Sequence, residues 1–167
     1  MDNLIIGNII ALIGSLIMVY SGIIKNKKKI IYAQTIQIML FSVSNFILGG
    51  ITGALVNLVC CVRNILCYKN KLGNKEKTIL LLVVAVLSIY FNTQGIIGYI
   101  PLISTIVYTL FMNTKDVLKF KYLVIFSMFT WFIYDIFIKS YTSAIFDFFS
   151  VISNAIAIYE IKVKKRG

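Results

Sequence analysis

Apolar residues run through this chain in long unbroken stretches, and short charged clusters separate one stretch from the next. The runs cover Leu4 to Ile24, Ile30 to Leu48, Ile51 to Tyr68, Thr78 to Asn92, Gly95 to Met112, Lys121 to Ile138 and Ala144 to Ile161. Most are close to the ~20 residues that a helix needs to cross about 30 Å of hydrocarbon. A spanning β-barrel strand would alternate apolar and polar positions, whereas Thr78 to Leu87 is almost continuously apolar. Backbone polar groups inside a bilayer must be paired within the segment, so the pattern predicts an all-α membrane protein with seven transmembrane helices.

Composition points the same way. With 59% hydrophobic and 14% charged residues in a chain of 167, there is too little polar surface to cover a soluble fold. The first run follows Asp2 rather than a basic segment and is too long for a signal-peptide core, so it is expected to remain as the first span. A net charge of +11 by itself would suit a nucleic-acid partner, but the lysines sit in clusters between apolar runs with no interleaved stacking aromatics. No nucleic-acid partner is expected; the lipid bilayer is.

The clusters also orient the chain. Lys25, Lys27, Lys28 and Lys29 follow the first run, and Lys69, Lys71, Lys75 and Lys77 the third. Lys115, Lys119 and Lys121 surround the start of the sixth, and Lys162, Lys164, Lys165 and Arg166 close the chain. Seven spans put all four clusters on one side, and the opposite connections contain only Lys139. The positive-inside rule then places the C-terminus in the cytoplasm and the N-terminus outside. Cys60, Cys61 and Cys67 share one run, and the chain has no histidine to complete a soft metal site or act as a general base. Neither a metal, a cofactor nor an enzymatic activity is expected.

Shifted by 90 residues, Asn45 to Lys69 falls without a gap on Asp135 to Tyr159. Asn45 meets Asp135, Asn57 meets Asp147, and Asn64 meets Asn154; with one inserted residue, Gly7 to Tyr20 also falls on Gly98 to Phe111. Two similar triplets of spans need one span between them to run in the same direction. The expected layout is therefore 3+1+3, two parallel three-helix bundles (1-69 and 95-167, the second with a basic tail) joined by a linker helix over 78-92.

Polar groups within spans carry the candidate chemistry, because an ionisable side chain near a helix centre costs about 2.5–3.5 kcal/mol on insertion scales. Asn57, Cys61 and Asn64 share a face of the third span with Arg63 beside them, and Asp147, Ser150 and Asn154 repeat that spacing on the seventh. These stripes either hydrogen-bond across helices as glue or line a substrate site in which Arg63 and Asp147 pair. Asn57, Arg63, Asn64, Asp147, Ser150 and Asn154 are the candidate substrate-binding residues. Asp135 and Glu160, near span ends, read as interfacial side chains that snorkel toward water. Pro101 removes one hydrogen bond within the fifth run and predicts a kink there, a candidate hinge.

The stretches Ile100-Pro101-Leu102-Ile103-Ser104-Thr105-Ile106-Val107, Thr130-Trp131-Phe132-Ile133-Tyr134-Asp135 and Val62-Arg63-Asn64-Ile65-Leu66 resemble the YgjV family of bacterial inner-membrane proteins. More remotely, the layout resembles the MtN3-like group, with its SWEET and SemiSWEET sugar facilitators, PQ-loop carriers and PnuC-type vitamin transporters. The resemblance implies a SWEET-like bundle in the inner membrane that passes a sugar, vitamin or other small polar solute by alternating access. The positions matching the SWEET substrate-facing asparagines are Asn57 and Asp147; Asp147 departs from that pattern by being acidic, which leaves room for a cationic or proton-coupled solute. A first-triplet proline, expected near Ile10, and a glutamine after Pro101 are both absent. A non-transporting receptor or partner-binding protein of the same architecture is the alternative, and homo-oligomerisation stays open.

Overall fold

The computed structural model describes residues 2–164, and every regular element among them is helical. The helices are α1 (Asp2–Ile23), α2 (Lys27–Ile47), α3 (Ile51–Tyr68), α4 (Asn74–Tyr90), α5 (Ile100–Phe111), α6 (Val117–Phe137) and α7 (Tyr141–Lys164), with a 3₁₀ turn at Gly95–Tyr99 before α5. Seven apolar runs became seven helices. Several boundaries move because polar residues outside the hydrocarbon start the helices early. Asp116 accepts the Leu118 N–H at 2.8 Å and caps α6 four residues before Lys121. Glu76 accepts the Gly73 N–H at 3.0 Å and begins α4 ahead of Thr78. Five helices, α1, α2, α3, α6 and α7, are long and apolar enough to cross a membrane; α4 has 17 residues and α5 only 12.

Polarity is inverted relative to a water-soluble protein. Leu16, Phe46, Leu82, Val86, Phe129 and Phe148 project outward, while Gln34, Gln37, Asn45, Asn57, Asn64, Asp147 and Asn154 are buried. That distribution suits hydrocarbon outside and hydrogen-bonding groups inside. Neighbours follow chain order. α2 lies between α1 and α3, α6 lies between α5 and α7, and α1 closes the ring by packing on α7. The opposite closure, between α3 and α5, is slight, and α4 covers it by packing on both.

The 90-residue repeat reappears in the turns. Gly50 donates its N–H to the Asn45 carbonyl at 2.8 Å, and Ser140 donates to the Asp135 carbonyl at 2.9 Å. Gly49 donates to Phe46 and Lys139 to Ile136, both at 3.2 Å. Each turn passes through a left-handed residue, Gly49 at φ +82° and Lys139 at φ +61°. Glycine adopts that conformation freely, and lysine pays for its Cβ by about 1–2 kcal/mol. Lys139→Gly is therefore expected to raise stability by ~1 kcal/mol, read as a higher unfolding midpoint in detergent; an unchanged or lower midpoint would show that the turn is unstrained.

Two sequence expectations need correction. Lys121 is not part of a solvated basic cluster: it is fully buried, and its Nζ donates to the Gly22 carbonyl at 2.6 Å and to Asn154 Oδ1 at 3.3 Å. One turn into α6, its side chain meets the unpaired carbonyls at the end of α1 instead of water. Pro101 does not kink a continuous helix. It is the second residue of α5, where its missing N–H has no intrahelical role, and it divides the 3₁₀ turn from the regular helix. Lys165 and Arg166 of the C-terminal cluster lie outside the described residues, as does the side chain of Lys164.

Candidate functional site

The ring of α1, α2, α3, α5, α6 and α7 encloses a central cavity of about 40 Å³. That volume holds about three waters, so the chamber has room for little more than solvent. Its walls follow the repeat. Gln37 and Ser127, Phe41 and Trp131, Asn45 and Asp135, and Asn57 and Asp147 all line it, each pair separated by 90 positions. Two helix faces in each half, supplied by α2 and α3 or by α6 and α7, thus present matching positions to one space.

Arg63 occupies one end and is only 4% exposed. Its Nε and Nη2 donate to Asn64 Oδ1 at 3.2 and 3.0 Å, and its Nη1 donates to Thr109 Oγ1 at 3.4 Å. The guanidinium carbon lies 4.5 Å from the centre of the Tyr108 ring, and the Tyr108 hydroxyl donates to Gln34 Oε1 at 2.8 Å. A desolvated cation over an aromatic face can contribute about 2 kcal/mol. Among the five N–H bonds of a guanidinium, these contacts leave two for another acceptor.

Carboxylates occupy the other end. Asp135 is 4% and Asp147 2% exposed, and both face the cavity. Asp147 Oδ2 has no hydrogen-bond partner, nor does Gln37 Oε1, which lines the same space. Asn45 and Asn57 are the uncharged counterparts of the two acids in the other half. Charged groups buried without compensation are costly, which makes this concentration hard to explain as packing alone.

The expected Arg63–Asp147 ion pair does not form. Among the described residues the salt bridge present is Lys25–Glu160, at 2.5 Å between half-exposed side chains. Depth is the reason. Asp147 repeats Asn57, six residues before Arg63 on α3, which is about 9 Å along a helix at 1.5 Å per residue. α3 and α7 face each other across the cavity, so their polar stripes are not direct interhelical glue.

Of the candidate residues, Asn57, Arg63 and Asp147 line the cavity, whereas Asn64, Ser150 and Asn154 are buried behind its wall. Asn64 holds the Arg63 guanidinium, and Asn154, at the equivalent repeat position, accepts from the Lys121 ammonium. Each half therefore uses the same asparagine to hold a buried cation. Ser150 has a buried hydroxyl without a partner. Cys60, not Cys61, reaches the cavity, while the Cys61 thiol points at the Thr35 carbonyl. Pro101 is absent from the lining. Sequence reasoning missed Asp135, taken for an interfacial carboxylate, and also Gln34, Gln37 and Tyr108. Asp135 had a signal, its register with Asn45; the others are ordinary residues until the helices assemble.

Residues 5–165 match the Imp-YgjV family model, whose description is bacterial inner membrane protein. No curated protein and no solved structure matches the chain. The match spans nearly the whole sequence, and the chain belongs to this family of multi-pass proteins of the bacterial inner membrane.

Proposed function

We propose that this member of the Imp-YgjV family carries a small polar solute across the inner membrane by alternating access. In this reading α1–α3 and α5–α7 are two parallel three-helix bundles, α4 is the linker between them, and the basic cluster side faces the cytoplasm. The observation that carries it is the central cavity, whose charged and polar lining comes from repeat-equivalent positions of both halves. Substrate sites of transporters built from repeats lie at such an interface. The junction at Pro101, where 3₁₀ and α geometry meet, is the natural place for α5 to bend. No chemistry on the solute is part of the proposal.

A cavity of about 40 Å³ is well below the roughly 300 Å³ of an ordinary small-molecule pocket, so transport requires the halves to separate. At the basic end Lys27 and Lys121 join the two halves, and Lys77 ties the linker to α5. Lys27 donates to the Thr114 carbonyl at 2.7 Å, Lys77 to Leu110 at 2.9 Å and Lys121 to Gly22 at 2.6 Å, in each case at or just past the end of α1 or α5. Opening toward that end would break the Lys27 and Lys121 contacts.

Purified protein in liposomes, screened with labelled sugars, vitamins and amino acids, tests the proposal. Substrate-specific, saturable uptake is expected, and Asp147→Asn is expected to reduce it by about tenfold or more, the effect of losing ~1.4 kcal/mol of interaction. Absence of flux under any imposed gradient would refute the transporter. Saturable binding without flux would favour the receptor alternative.

A further inference from the structure

The donors and acceptors left over in the cavity are sorted by position. An acceptor is in excess at one end, where Asp147 Oδ2, on a residue 2% exposed, has no partner and Asp135 faces the same space. Donors are in excess at the other, where the Arg63 guanidinium retains two uncommitted N–H bonds. The signs also divide between the halves of the chain. Both acids belong to the second triplet, at positions where the first has Asn45 and Asn57, and Arg63 belongs to the first, where the second has Ser153.

We infer that the solute is a small zwitterion of the amino-acid class, its ammonium held by Asp135 and Asp147 and its carboxylate by Arg63. The inference rests on the proposed transport function and names the class of its substrate. An ammonium supplies N–H donors to the orphaned acceptor, and a carboxylate accepts from the uncommitted N–H bonds of the guanidinium. A simple cation would satisfy one end and leave the other unanswered; a simple anion would do the reverse. A neutral sugar would bring no charge to either end and leave the Asp135 and Asp147 carboxylates without a cation beside them. Because the charges come from opposite halves, one zwitterion bound between them draws the halves together, so occupancy and closure are the same event.

Trp131 provides the readout. It is the single tryptophan of the chain and lines the cavity, so its emission reports what enters. Full-length protein in detergent would be titrated at constant ionic strength with glycine, β-alanine, γ-aminobutyrate and 5-aminovalerate, and with the alkylamine and carboxylic acid of each chain length. At least one amino acid is expected to give a saturable change, with its matched amine and matched acid binding about thirtyfold or more weakly. Asp147→Asn should weaken the amino acid while leaving the acid unchanged, and Arg63→Gln should weaken it while leaving the amine unchanged. The inference is overturned if no amino acid of the series responds, or if the amine alone or the acid alone binds as tightly. Flux of a neutral solute together with silent amino acids would leave transport standing and remove the zwitterion. Amino-acid binding without flux would leave the site standing and remove transport.

Discussion

Leucine in place of Arg63 is expected to lower the unfolding free energy in detergent by about 2 kcal/mol and to abolish solute binding, because one side chain serves both the bundle and the cavity. The guanidinium bonds Asn64 and Thr109 and lies over Tyr108, which ties α3 to α5 where those helices otherwise touch little. Interhelical hydrogen bonds in membranes average about 0.6 kcal/mol, so most of the loss would come from the cation over the ring and the orphaned Asn64 oxygen. Asp135 and Asp147 would also lose Arg63 as the cation lining their cavity. Arg63→Lys keeps the charge but not the planar fork, and is expected to recover part of the stability with weaker binding. Denaturant unfolding and the Trp131 titration read the two effects separately. If the leucine variant unfolds at the native midpoint and binds normally, Arg63 has neither role.

Valine at Gly53 should be more disruptive still, with an expected loss of roughly 3 kcal/mol or failure to fold. A Cβ at this position would stand 2.7 Å from Tyr134 Cε1, 2.8 Å from the Tyr134 hydroxyl oxygen and 2.9 Å from Asn45 Nδ2. Neither neighbour has room to retreat. Tyr134 is fully buried against α3, and Asn45 is 2% exposed. The Gly53 N–H, one of the free donors in the first turn of α3, gives its bond to the Tyr134 hydroxyl at 3.1 Å, so the close approach also completes a helix end that lacks a side-chain cap. Alanine would recover ~1 kcal/mol of helix propensity against an overpacking cost of about 1–3 kcal/mol, a small net loss. The ordering native, alanine, valine in thermal midpoint is the check; a valine variant as stable as native protein would show that Tyr134 can move.

What the linear sequence conveys here depends on whether a property is local. Seven helices were legible because hydropathy over some twenty residues is a local quantity, and α3 lies where its apolar run does, from Ile51 to Tyr68. The starts of α4 and α6 were not, since Glu76 and Asp116 extend the helices beyond the apolar residues. Arg63 and Asp147 stood out as charges deep within apolar runs. Asp135 sat near a run's end, where depth alone suggests an interface, and only tertiary packing turns it toward the cavity. Lys121 was concealed by its neighbours Lys115 and Lys119, because a helix turn decides which lysine of a cluster faces inward. Nothing marked Tyr108 or Gln34 in advance; they matter because α5 and α2 bring them beside Arg63.

The brevity of α5 bears on the lipid around it. Its twelve regular residues span about 18 Å, and the 3₁₀ turn before it, which leaves Ile96 86% exposed, adds about 10 Å to bring the segment just short of roughly 30 Å of hydrocarbon. On the other flank, α1, α2 and α7 are each more than twenty residues long. The flank of α4 and α5 therefore suits a bilayer a few ångströms thinner than the flank of α1, α2 and α7 does, and acyl chains beside it are expected to tilt or shorten slightly. Phospholipids with shorter tails should gather along that flank and support the protein better than long-tailed ones, making the thickness of the host membrane a variable in its stability.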